Sequence, residues 1–197
     1  LAISTWAWGR EEEGWLLDHQ EIYGDPSRPD LWKQLDEIVL REWEHASGGK
    51  LRPDVVCVDS GGHFTAEVYQ FARERARQGV IAIKGASQRN KPVIGKGSKV
   101  DINAKGKTMK RGAMLFNVGT DTAKTTLFAR LKHNEPGEGY LHFPMEASEE
   151  YFKQLTAEKQ VMKYSRGGFP TREWVKKPSA RNEALDTLVY AFAGLNF

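Results

Sequence analysis

At 197 residues and 40% hydrophobic content, the chain has room for one domain with a sizeable core. No apolar run approaches the roughly 20 residues of a membrane-spanning helix, no N-terminal basic segment leads into an apolar one, and a single cysteine, Cys57, excludes a disulfide framework. The net charge of +3 conceals an uneven distribution: the first fifty residues carry five basic and eleven acidic side chains, whereas Lys84 to Arg111 carry nine Lys or Arg against Asp101 alone.

The stretches Ile3 to Trp8 and Trp15 to Tyr23 are rich in aromatic and β-branched residues and flank a polar segment, which predicts an antiparallel hairpin. Asp30 to Ala46 repeats apolar residues at helical spacing (Leu31, Leu35, Ile38, Val39, Trp43), between Pro29 and the Gly48-Gly49 pair, and reads as an amphipathic helix. The apolar run from Asp54 to Asp59, which buries Cys57, then predicts a strand covered on both faces, Thr65 to Gln78 a helix, and Val80 to Lys84 a second buried strand. Strand, helix and strand with tight links form a parallel βαβ unit.

Gln88 to Met114 lacks periodicity and reads as a long excursion with room for a short hairpin inside it. It holds most of the basic block, which is either a solvated loop or a contact for a polyanion. Leu115 to Gly119 is expected as a strand, Asp121 as the cap of a helix running to Leu131, Tyr140 to Phe143 as a short strand, and Tyr151 to Lys163 as partly helical. The last element is a helix over Arg181 to Leu195. An antiparallel hairpin, a parallel βαβ unit and a C-terminal helix, in that order, suggest an α/β domain of the RNase H-like type. Its central mixed sheet would combine the hairpin with the parallel strands and be flanked by helices.

Such a fold places acids at the carboxyl ends of central strands and on the last helix. Asp59 ends a buried strand and precedes Ser60-Gly61-Gly62, so it either points into the ligand crevice of the sheet or forms the turn. Glu183 and Asp186 stand three apart at the start of the last helix and share a face, although acids in a first turn also complement the helix dipole. Asp186 lies against Leu188-Val189, where an unpaired carboxylate costs free energy unless a cation or hydrogen bonds compensate. Converging carboxylates suit Mg²⁺ or Mn²⁺, and a pair of such ions can activate water and stabilise the leaving oxygen of a phosphodiester displacement. Lys84, at the end of the next strand, either supplies a positive charge near the phosphate or reaches solvent. No nucleophile elbow, Cys-x-x-Cys pair, dinucleotide fingerprint or phosphate-binding P-loop is present, so the ATPase chemistry of a P-loop is excluded from these residues.

Seven segments taken together are distinctive: Val58-Asp59-Ser60-Gly61-Gly62; Val68-Tyr69; Ile83-Lys84-Gly85-Ala86-Ser87; Val118 to Lys124; His142-Phe143-Pro144; Gln154 to Glu158; and Arg181 to Asp186 with Val189-Tyr190-Ala191. In this order, and with Trp6-Ala7-Trp8-Gly9 before them, they resemble the nuclease region of lambda-like, gpA-type phage terminase large subunits along nearly the whole of residues 1–197. The resemblance implies a Mg²⁺- or Mn²⁺-dependent endonuclease that cuts concatemeric double-stranded viral DNA in the cytoplasm of an infected bacterium. It carries Asp59 over as the second catalytic acid and Asp186 as the late acid on the last helix, while the placement of the residues themselves adds Glu183 at the metal with Asp59 and Asp186, Lys84 as a catalytic charge, and two ions. The basic block itself offers DNA contacts from Lys84, Arg89, Lys91, Lys96, Lys99, Lys105 and Lys107, and the resemblance implies a packaging ATPase domain, a terminase small subunit and a portal as partners. The family's first catalytic acid lies on a strand just before the Trp-x-Trp-Gly strand, so that strand is expected upstream of Leu1. Two other functions remain open on the residues alone: a DNA-gripping module without catalysis, and an RNase H-like resolvase or transposase core.

Overall fold

Strand β1 (Ala2–Trp8) and strand β2 (Gly14–Glu21) pair antiparallel from Ala2 opposite Glu21 to Trp8 opposite Gly14, as the alternating aromatic residues require. The computed structural model describes residues 1–86, 88–104, 106–164 and 167–197. Helix α1 (Pro29–Val39) follows with Pro29 in its first turn and with Leu31, Leu35 and Val39 buried. It ends seven residues earlier than its apolar spacing suggests. Trp43 instead begins a two-residue strand, β3 (Trp43–Glu44), which pairs with β4 (Lys50–Leu51), and the Arg41 guanidinium lies over its ring at 4.4 Å. Gly48, with φ 84°, makes the turn of that small hairpin rather than closing a helix.

The expected βαβ unit is present. Strand β5 (Val56–Asp59), helix α2 (Thr65–Glu74) and strand β6 (Val80–Gly85) follow one another, and β5 and β6 pair in parallel with Asp59 opposite Ile83. Gly79 makes the turn into β6 at φ 79°, where an added Cβ would stand 2.2 Å from the Asp54 carbonyl oxygen, so no other residue fits without moving the backbone.

The basic excursion is more ordered than its composition suggests. Strand β7 (Ser98–Ala104) and the twelve-residue β8 (Lys107–Val118) form a long antiparallel hairpin, and β8 also pairs in parallel with β6, giving the order β5-β6-β8-β7. Val100, Ile102, Ala113 and Leu115 face the α2 side of this sheet. Beyond them the arm runs into solvent, so its first residues on β8 are polar and exposed and carry no apolar period. The segment before β7 is tied down as well: the Gly95 amide donates to the Asn117 carbonyl at 2.8 Å and the Gly119 amide to the Pro92 carbonyl at 3.1 Å.

Helix α3 (Thr120–Arg130) starts from Gly119, with Asp121 inside its first turn; no side chain caps it, contrary to the role expected of Asp121. Strand β9 (Leu141–His142) pairs in parallel with β2. Helix α4 (Glu149–Leu155) is capped by the Ser148 hydroxyl and covers the first part of the stretch expected to be partly helical. The residues after it form strand β10 (Glu158–Tyr164), paired antiparallel with β11 (Pro170–Lys176), a hairpin that the sequence reading did not foresee.

The chain closes with α5 (Glu183–Leu195), whose Ala184, Leu185, Leu188, Val189 and Ala193 are wholly buried. Its buried side chains lie in one cluster with Leu16 and Leu141 of the first sheet and Ile83 of the second. The opening hairpin and the parallel strands were expected in one sheet. They stand in two, β1-β2-β9 and β5-β6-β8-β7, and α5 packs on both. Ser4 of β1 shares a 2.7 Å hydrogen bond with Thr187, while Gly194 lies against Cys57 and Val55 at β5. Among the described residues, β1 pairs only with β2 and β5 only with β6.

Candidate active site

Asp59 is the last residue of β5, and the turn after it is fixed by hydrogen bonds. The Ser60 amide and hydroxyl both donate to the Ile83 carbonyl at 2.8 Å, the Gly61 amide donates to Asp59 Oδ1 at 3.0 Å, and the Thr65 hydroxyl donates to the Ser60 carbonyl at 3.0 Å. Asp59 therefore satisfies its own turn, as sequence reasoning allowed, and still keeps its side chain exposed. Strand alternation puts it on the α5 side of the sheet with Cys57, whereas Val56 and Val58 face α2.

Asp186 approaches from α5. Its pKa is raised: burial disfavours the charge first, the nearby Lys124 works the other way, and the charges of Glu158, Asp59 and Glu183 raise it further. One turn along the helix, the Tyr190 hydroxyl meets Asp59, and its pKa is driven well up by burial and then by the charges of Asp59 and Asp186. The two acids selected from the sequence are thus brought to one place.

Other expected site residues are distributed differently. Glu183 lies at the rim, 3.2 Å from the Arg181 guanidinium, which also reaches Glu21 at 2.5 Å. Lys84 is exposed and, by alternation from Ile83, belongs to the α2 side of the sheet, away from Asp59 and Asp186. Arg89 is paired with Glu173 on β11 at 2.5 Å. Lys91, Lys96, Lys99 and Lys107 are exposed along and before the β7–β8 hairpin. Lys105, like Ser87 of the sixth-strand motif, falls outside the described residues.

Three residues beside Asp186 were quoted in motifs but given no role. Lys124 of α3 and Glu158 of β10 pair at 2.8 Å with side chains 12% and 7% exposed, and Asn182 donates both to Glu158 at 2.8 Å and to Asp186 at 3.0 Å. The available signal was their presence in the same ordered motifs as Asp59 and Asp186. Beside them opens a cleft of about 460 Å³, walled by Ala86, Thr120, Lys124, Glu158, Glu173 and Trp174 among others.

Among the described residues no three His, Cys, Asp or Glu side chains are grouped tightly enough to hold a metal ion. The donors present are nonetheless oxygen donors, and Asp186, whose pKa is raised by burial first, also faces the charges of Glu158, Asp59 and Glu183. That chemistry fits a hard divalent cation at Asp59 and Asp186 better than a zinc site, which would draw on sulfur or imidazole.

A mixed α/β domain with carboxylates converging from a strand end and from its last helix is built for oxygen-ligand chemistry, and along residues 1–197 it matches the family model of the "Terminase large subunit gpA, endonuclease domain". The chain belongs to that family of endonuclease domains. The large terminase subunit of Escherichia phage lambda is 35% identical over 202 residues, covering 98% of this chain and 30% of that protein. The large terminase subunit of Enterobacteria phage P21 is 36% identical over 200 residues, covering 97% and 29% respectively. The chain thus spans about 30% of the length of these relatives. No solved structure matches it.

Proposed function

We propose that this domain hydrolyses phosphodiester bonds in double-stranded DNA at the meeting point of Asp59 and Asp186. The observation that carries this reading is the convergence of those two acids from β5 and α5, each acting on the other's surroundings and both acting on the Tyr190 hydroxyl. Asp59 and Asp186 would hold Mg²⁺ or Mn²⁺, with Glu183 at the rim. When bound there, two such ions supply an activated water and stabilise the charge on the leaving oxygen. The chain's own contribution is orientation: the Ser60–Gly61 turn aims Asp59, Asn182 holds one oxygen of Asp186, and Tyr190 keeps its proton beside Asp59.

The same reading takes the fold as RNase H-like. The edges of β1 and β5 that are open among the described residues both lie along α5, and a strand between them bearing another acid would join the two sheets and complete a two-ion site. As part of a terminase large subunit, the domain would cut concatemeric viral DNA in the host cytoplasm beside a packaging ATPase, a small subunit and a portal. No helix among the described residues is long and apolar enough to cross a membrane. The test is nicking of supercoiled plasmid in Mn²⁺, lost on chelation. Asp59→Asn should lower the rate more than about 100-fold, beyond the usual cost of disturbing a ligand's neighbours, with the fold intact. Binding of DNA without any metal-dependent cleavage would leave a gripping module instead.

A further inference from the structure

Glu158 is 7% exposed and sits on neither β5 nor α5, but at the start of β10. A carboxylate taken out of water is costly unless it is paired and hydrogen-bonded, and both its oxygens are engaged. Lys124 Nζ lies 2.8 Å from Oε1 and 2.9 Å from Oε2, and Asn182 Nδ2 donates to Oε1 at 2.8 Å.

Both of these partners continue to Asp186. The same Asn182 amide donates to Asp186 Oδ2 at 3.0 Å, and Lys124 Nζ stands 3.8 Å from Oδ1. Two routes therefore run from Glu158 to Asp186, one ending on each oxygen. An amide nitrogen with two hydrogens suits the place between two carboxylates; an oxygen there would be repelled by both. Asn182 is the residue before α5, yet its side chain makes no capping hydrogen bond to the helix. Its polar end is committed to the two acids.

We propose that Glu158 is a positioning residue which, through Asn182 and Lys124, sets the orientation in which Asp186 receives its metal ion. Glu158 stands behind Asp186 rather than at the ion: it is 7% exposed, Oε1 accepts from both Lys124 and Asn182, and Oε2 accepts from Lys124. Groups that orient a metal ligand govern metal affinity and rate without touching the substrate.

This inference rests on the reading of Asp186 as a metal-binding carboxylate, so the experiment includes Asp186→Asn as a reference. In the full-length protein, Asn182→Ala should lower kcat for Mn²⁺-dependent plasmid cleavage by about 10- to 100-fold, and Mn²⁺ affinity measured by calorimetry by a similar factor. KM for DNA should stay near wild type, and the fold should be retained although the thermal midpoint falls by a few degrees as Glu158 loses a hydrogen bond. Glu158→Gln alone strands a buried lysine, so the pair change Lys124→Met with Glu158→Gln is used. It should lower kcat alike, and combining it with Asn182→Ala should cost much less than the product of the two effects, since they act through one another. If Asn182→Ala retains kcat and Mn²⁺ affinity while Asp186→Asn loses both, positioning through Asn182 is wrong and the site stands. If Asp186→Asn itself retains both, the site reading falls and takes this inference with it.

Discussion

The Tyr190 hydroxyl of α5 faces the charge of Asp59 at the end of β5, and Tyr190 follows Asp186 by one helical turn, so one face of the helix brings Asp186 and this phenol to the same strand end. Burial first, and then the two carboxylate charges, hold this phenol protonated far above the ordinary tyrosine range. Tyr151, buried in the core, is held up by burial alone. In a spectrophotometric titration of the native protein, these two of the six tyrosines should ionise only with unfolding. Tyr190→Phe should remove one phenolate from that late class; loss from the early class instead would contradict the contact.

Asp186 gives a prediction about stability and pH. Its folded pKa lies above the ordinary 3.8, with burial as the first cause. Stability from such a group is fully present below the ordinary value and is lost as pH rises through the raised folded value. Without divalent cations, Asp186→Asn should therefore gain on the wild type in thermal midpoint as pH rises from about 4 to 7. The difference should be a few degrees at most, because part of the side chain reaches water. Mn²⁺ should raise the wild type and not the variant. A wild type that gains on the variant over the same range in the absence of metal would show that the charged form is the stabilised one.

Lys84 faces the α2 side of the sheet, so Lys84→Ala should leave kcat within a few fold and act on KM for DNA if it acts at all. Lys84→Ala tests this directly: a fall in kcat of more than about 100-fold, as expected of a group stabilising the reacting phosphate, would return the lysine to the reaction centre.

The lysines of the basic block predict salt dependence. If Lys91, Lys96, Lys99, Lys105 and Lys107 each neutralise a phosphate, changing all five to Ala should flatten the log–log salt slope of duplex binding by up to about 4.5, at about 0.9 per contact. Affinity should fall equally on unrelated sequences, since phosphate contacts do not read bases. An unaltered slope means that these lysines only solvate the arm.

Much of this architecture can be read from the residues because its determinants are local. The apolar run into Asp59 and the Gly79 turn define the βαβ unit, and the period of Leu185, Leu188, Val189 and Phe192 defines α5. The β7–β8 and β10–β11 hairpins are less legible because their outer residues pack on little, so polar side chains replace the alternation that marks a half-buried strand. Trp43 misleads for the opposite reason: its spacing continues the pattern of α1, but Arg41 and a two-residue strand pair capture it. At the site, Asp59 and Asp186 stand where a strand end and a helix start can be foreseen. The Lys124–Glu158 pair joins residues 34 apart on different elements, and no spacing rule anticipates such a contact.

The packing of α5 across two sheets that share no strand among the described residues bears on how the molecule can be divided. Thirteen residues supply the common interior of both sheets together with Asp186 and Tyr190. A break in the exposed link before Glu183 would separate the chain into a large piece with two half-covered sheets and a short helical peptide. On the proposed function, the two pieces should recover metal-dependent cutting only when mixed, which would let the site be assembled on demand.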